Sequence, residues 1–193
     1  MAGWAVVDGQ LVEEERAQLS VGDRGFVLGD SIFTTLVASS GGMFRFDAHW
    51  ARLERGASLL GIPLPRRTQL EAWIGQLTQG ASGLCVVRPQ ISRGRHPGRG
   101  VAVWDGADVP PTVVVRSFPF APHPPSACRR GVRVIVSPIP KNERSPLLQC
   151  KTPFNYGDAL IARREARRRG ADDALFLNTR GELVSATSAN VFC

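Results

Sequence analysis

Lysine is nearly missing from this sequence: of its 24 basic residues only Lys141 and Lys151 are lysines, and the rest are arginine. Tyrosine occurs once, at Tyr156. No apolar run reaches the roughly 18–20 residues needed to cross a bilayer, so no membrane partner is expected. The N-terminal MAGWAVVDGQLVEEE has no basic segment ahead of an apolar core, so a signal peptide is not expected either. Cys85, Cys128, Cys150 and Cys193 are far apart and form no C-x-x-C pair. That pattern reads as free thiols in a cytoplasmic protein, with no disulfide framework and no metal site. Internal repeats and low-complexity tracts are absent.

The chain has 193 residues, 43% hydrophobic and 21% charged, a globular composition sized for one ordinary domain or two small ones. Its net charge of +7 raises the question of a polyanion partner. The arginines are spread along the chain, however, and no basic-aromatic surface stands out, so a nucleic-acid partner is not expected. Two clusters remain. Arg163–Arg169 reads as the solvated face of a helix. SRGRHPGRG (Ser92–Gly100) reads as a loop.

Trp4–Val12 is expected to form a hairpin turning at Asp8-Gly9. A second hairpin, Phe33–Ala38 with Met43–Phe46, is expected around Ser39–Gly42. A helix over about Asp47–Leu60 follows, with Asp47 as N-cap and Trp50, Leu53, Ala57 and Leu60 inward. Another begins at Thr68, where Thr68 and Glu71 have capping-box spacing. Leu70, Trp73, Ile74 and Leu77 face inward there. Strands are expected at Gly83–Ile91, Pro111–Ser117 and Val132–Pro138. The proline-dense Phe118–Gly131 reads as a stiff, extended linker. This predicts an N-terminal domain over 1–118, a linker over 119–131 and the start of a second domain over 132–193. In the latter, a helix over Tyr156–Arg169 carries Ala159, Ala162 and Ala166 along one face. A hairpin, Asp173–Leu177 with Glu182–Val184, and a strand from Ala189 to Phe192 complete it, and that domain is expected to be incomplete.

A lysine becomes a nucleophile only as the neutral amine, which burial or nearby positive charge favours. Lys151 sits in QCKTPFNYGDAL, flanked by Cys150, Thr152, Pro153 and Phe154, an apolar setting for lysine. KTPFNY, the alanine-rich helix, GADDALFLNTRGELV and TSANVF follow in order. Upstream are SVGDRGFVLGDSIFTTL, HWARLERGASLLGI and ISRGRHPGRG. These blocks, covering nearly the whole chain, resemble the fold-type IV pyridoxal-phosphate enzymes, the class IV aminotransferase family. That family includes branched-chain and D-amino-acid aminotransferases and 4-amino-4-deoxychorismate lyase.

The resemblance implies an α+β, two-domain fold of the D-amino-acid aminotransferase type. It implies pyridoxal 5'-phosphate held covalently by Lys151, whose freed amine then serves as general base. Arg52 would bind the cofactor phosphate, where a planar guanidinium suits a dianion. Tyr156, Ser185 and Asn190 would complete the cofactor site. Phe33, Thr35, Arg93 and Arg99 would face a small-molecule substrate, either aminodeoxychorismate or an amino acid and 2-oxo acid pair. A homodimer is the family's expected assembly.

Two departures bear on the reaction. Family members commonly carry a glutamate five residues before the motif asparagine, to pair with the pyridine nitrogen. Here that position is Ser185, which can hydrogen-bond the nitrogen but cannot balance a full charge. Glu182 does not substitute, being three residues away on a strand and so on its opposite side. A weaker electron sink disfavours transamination more than an elimination ending in an aromatic ring. Phe33-Thr34-Thr35 and the ISRG loop likewise resemble the lyase, which releases pyruvate and 4-aminobenzoate for folate synthesis. An aminotransferase is the alternative. The second departure is the end at Cys193, before the segment that supplies a phosphate-binding helix start in the family. It leads us to expect a truncated chain, and an inactive homologue is a further alternative.

Overall fold

Asp8 and Gly9 take left-handed backbone angles, φ 50° and 89°, the geometry a two-residue hairpin loop requires. They join β1 (Trp4–Val7) to β2 (Gln10–Glu13), where the sequence places its first hairpin. This computed structural model describes residues 3–96, 100–101 and 109–192. Two units divide the chain: Met1–Ala121 with Cys150–Pro153, and Pro122–Gln149 with Phe154–Cys193.

The first unit adds α1 (Arg24–Leu28), β3 (Ser31–Phe33), β4 (Leu36–Ser39), β5 (Gly42–Met43), α2 (Phe46–Leu60), α3 (Arg67–Thr78), β6 (Cys85–Ser92) and β7 (Thr112–Pro119). Its sheet runs β2-β1-β7-β6-β4-β5, and β3 also pairs with β6. The single strand expected over Phe33–Ala38 is two strands on one continuous register, Phe33 opposite Gln90 and Leu36 opposite Val87. The break falls opposite Pro89. Thr34 donates its N–H to the Pro89 carbonyl at 3.1 Å, and proline has no N–H to return.

Helix α2 packs against β3, and α3 against β1 and β7. Leu53, Ala57, Leu70 and Ile74 meet Val6, Ile32, Val87, Ile91, Val113 and Val115 in one buried core. The caps differ from those expected. Arg45, at φ 51°, precedes α2, and Asp47 lies in its first turn, paired with Arg67 at 2.5 Å. Ahead of α3, the Arg66 N–H donates to the Gln69 side chain at 3.0 Å, and Glu71 instead accepts from Arg67.

The second unit is β8 (Val134–Val136), α5 (Tyr156–Arg168), β9 (Asp173–Leu177) and β10 (Leu183–Ala186), with strand order β10-β9-β8. β8 and β9 run parallel, so the α5 crossover is required to join them. Ala159, Ala162 and Ala166 pack on Ala174 and Phe176, as the spacing predicts. No strand forms at Ala189–Phe192. The Ala186 N–H donates to the Ala189 carbonyl at 3.0 Å and turns the chain away.

The domain boundaries also differ from 1–118, 119–131 and 132–193. Strand β7 extends to Pro119, and Cys150–Pro153 joins the first unit. The proline-rich stretch is not wholly extended, since α4 (Pro125–Arg130) forms within it. Pro125 occupies its first position, where a fixed φ and a missing N–H cost the helix nothing.

Candidate active site

The sequence places Lys151 far from Phe33, and backbone hydrogen bonds bring them together. Phe33 N–H donates to the Lys151 carbonyl at 3.0 Å, and the Thr152 hydroxyl donates to the Ser31 carbonyl at 2.8 Å. Residues 150–153 thus lie along β3, on the edge that β6 does not use. Buried Thr152 anchors them there.

Lys151 Nζ lies 4.9 Å from the centroid of the Phe33 ring, and the Arg88 guanidinium is 4.1 Å from the same centroid. Burial, and then the charges of Arg52 and Arg88, hold the Lys151 amine below the usual lysine range. Among the described residues Lys151 forms no ion pair with a carboxylate. Lys141 is the contrast: it is buried in the second unit, its Nζ 2.9 Å from Asp158 and 4.4 Å from the Phe176 ring. The two lysines therefore have opposite environments, one paired and one surrounded by cations.

Arg52 projects from α2 with His49 one turn before it. The His49 Nδ1 is 2.7 Å from the Thr34 hydroxyl. Burial and the charges of Arg52, Arg45 and Lys151 hold the imidazole below its ordinary range. Neither Arg88 nor His49 is singled out by the sequence analysis. An arginine amid the apolar strand VVRPQIS is a readable signal in retrospect. The Thr34–His49 pairing has no local signal, because it links a strand end to a helix.

Other predicted site residues are placed differently. Phe33 is only 2% exposed, so its ring forms the floor under two cations and is not an open substrate wall. Thr35 is exposed. Arg93 does not offer a free guanidinium to a substrate. Its Nε donates to Asp30 at 2.7 Å, its terminal nitrogens reach Asp30 and the Gly61 carbonyl at 3.2 and 2.6 Å, and it also bonds the Leu60 carbonyl. Buried Asp30 needs those cations, and Arg24 supplies the other at 2.8 Å. Arg99 lies outside the described residues.

Tyr156, Ser185 and Asn190 belong to the second unit. Tyr156 opens α5 and packs on its alanine core. Ser185 stands on β10 opposite Phe176, and Asn190 is exposed beyond that strand. Among the described residues there is no cluster of His, Cys, Asp and Glu suited to a metal ion. Nor is any helix there long and apolar enough to cross a membrane.

Known proteins supply an independent comparison. Aminodeoxychorismate lyase of Vibrio harveyi is 30% identical over 179 residues, covering 92% of this chain and 64% of that protein. A putative branched-chain-amino-acid aminotransferase of Methanocaldococcus jannaschii is 27% identical over 193 residues, covering 96% and 63%. A hypothetical aminotransferase of Mycobacterium tuberculosis, solved in its PLP-bound form, superposes with a TM-score of 0.74 at 26% identity, covering 95% and 65%. The chain thus spans a little under two thirds of these relatives' length. Its fold is the two-domain α+β fold of those enzymes. Residues 31–193, from β3 through Lys151 and beyond the last strand, match the amino-transferase class IV family, and the chain belongs to it.

Proposed function

We propose that this chain carries the lysine side of a pyridoxal 5'-phosphate site and that the protein acts as a cofactor-dependent enzyme on small amino compounds. The observation that carries the reading is Lys151: an amine kept below its usual pKa, on an aromatic floor, with Arg52 and Arg88 as its charged neighbours. The fit to the cofactor is chemical. An aldehyde that also bears a phosphate needs one nucleophilic amine and at least one cation that cannot lose its proton.

When bound, pyridoxal 5'-phosphate supplies an aldehyde for amine condensation and an electron sink for the bond that breaks. Lys151 Nζ would provide that amine and, in its neutral form, would accept the proton from the substrate carbon. The cations around it favour the neutral form that both tasks require. Arg52 is assigned to the phosphate. Arg88, over the same Phe33 ring as Lys151, adds a second positive charge beside the amine. Tyr156, Ser185 and Asn190 remain assigned to the cofactor on the resemblance alone.

Between the reactions of its relatives, Ser185 favours 4-amino-4-deoxychorismate lyase, because a hydroxyl balances less charge than a carboxylate and the aromatic product supplies driving force. Transamination is the second reading, supported by the branched-chain aminotransferases among the relatives. A cytoplasmic homodimer belongs to the same proposal. The exposed Phe26 and Val27 of α1 offer an apolar patch for a second copy.

The test begins with borohydride reduction in the presence of pyridoxal 5'-phosphate, followed by mass mapping. Label on Lys151 is expected, and label confined to Lys141 refutes the site. Release of 4-aminobenzoate together with pyruvate then supports the lyase, whereas amino transfer to a 2-oxo acid with no 4-aminobenzoate formed supports the aminotransferase.

A further inference from the structure

The imidazole of His49 is set among positive charges. Facing it are Arg45 at the N-cap of α2, Arg52 one turn along that helix, and Lys151 from the segment laid along β3. The nearest carboxylates on α2 are turned to other partners, Asp47 to Arg67 and Glu54 to the Trp50 indole N–H at 2.7 Å. Among the described residues, no carboxylate adds to the charges of these three cations at His49. What holds the ring is neutral: the hydroxyl of Thr34, whose side chain is fully buried and whose backbone is tied to Pro89.

A hydroxyl can serve either ionisation state of a histidine. It donates to Nδ1 of the neutral ring and accepts from Nδ1–H of the cation. Thr34 can therefore keep its hydrogen bond through a change of charge. A dianion arriving beside Arg52 would supply the negative charge that this cluster lacks, and an opposite charge a few ångströms away favours the protonated ring.

We propose that His49 makes dianion binding at Arg52 proton-coupled: the ring stays neutral on the Thr34 hydroxyl until a phosphate-like dianion docks beside Arg52, and then takes up one proton. The inference rests on the assignment of Arg52 to a phosphate and extends it to a residue with no assigned role. Its consequence is that the positive charge of the site rises only when there is an anion to meet it. Without the dianion, Lys151 is spared a further half-buried cation beside it. The lowered pKa of His49, set first by burial and then by Arg52, Arg45 and Lys151, agrees with this reading.

The three histidines, His49, His96 and His123, make an NMR titration of the intact chain readable. Sulfate is the probe, because its double negative charge does not change over the range where histidine titrates. Sodium chloride at matched ionic strength controls for screening. The His49 midpoint is expected to rise in sulfate and not in chloride. Calorimetry in buffers of different ionisation heat should report uptake of about one proton per site between the two midpoints. Thr34→Val, which leaves Nδ1–H without its acceptor, should reduce the rise, and Arg52→Met should abolish it.

No rise in sulfate, an equal rise in chloride, or a rise that survives Arg52→Met overturns the coupling. The outcome is separable from the Lys151 assignment. Reduction that labels Lys151 while sulfate leaves His49 unmoved defeats only the coupling. A His49 rise without label defeats only the cofactor assignment.

Discussion

Asp30 decides what Arg93 can do. Burial alone would raise the Asp30 carboxyl, but hydrogen bonds from Arg93 and Arg24, and then their charges, outweigh it and leave the pKa below its ordinary 3.8. A lowered carboxylate pKa means the unfolded chain binds the proton more readily. The contribution is therefore complete above about pH 4 and is lost as the pH falls below 3.8 through the native value. Asp30→Ala removes the buried anion that pairs with two guanidiniums. It is expected to destabilise the chain by about 3–5 kcal/mol at neutral pH. Denaturant titration should show that loss at pH 7 and a smaller one at pH 3, and an equal loss at both would contradict the assignment. The same residue separates what was legible from what was not. An arginine in a Ser-Arg-Gly loop suggests a substrate contact, and only the fold reveals that Asp30 lies beneath it, 63 positions earlier.

At the scale of elements, α2 does two things with one helix. His49 and Arg52 share a face with Gly56, seven and four residues further on, where Cys150 passes close to the helix. A Cβ built on Gly56 would lie 3.0 Å from Ile32 Cγ2 and 3.4 Å from Cys150 Cβ. That closeness sets where Lys151 can stand, since Cys150 is its neighbour. Gly56→Val is expected to cost about 1–3 kcal/mol through overpacking and to lower the yield of Lys151 label. Gly75, on the exposed side of α3, has nothing within 4 Å of such a Cβ. Gly75→Ala should instead raise stability by about 1 kcal/mol from helix propensity and leave the label unchanged. Thermal melts beside mass mapping read both effects, and a label lost equally in the two variants would refute the packing argument.

At the scale of the whole molecule, the two units have unequal cores. The first gathers branched and aromatic side chains from two helices and a long sheet, whereas the second buries four alanines and Phe176, with Ile135, Ile139 and Tyr156 partly buried against them. Small side chains bury little area each, so less free energy opposes local opening. Hydrogen exchange followed by mass spectrometry is expected to show amides of α5 and β9 exchanging faster than those of β6 and β7. Equal protection across both units would show that the alanine-lined core is not the weaker one.

Helix periodicity, the Asp8-Gly9 turn and the alanine face of α5 were readable because each depends on neighbours a few residues away. Lys151 was singled out by its place in the class IV resemblance, since scarcity and apolar flanks by themselves do not separate a nucleophile from a surface lysine. Tertiary structure alone decided the rest. The Thr152 and Phe33 hydrogen bonds carry Lys151 into the first unit, Asp30 occupies Arg93, and Thr34 meets His49. In each case the partners are far apart in sequence, and burial and charge at a site depend on distance in space, which no local pattern records.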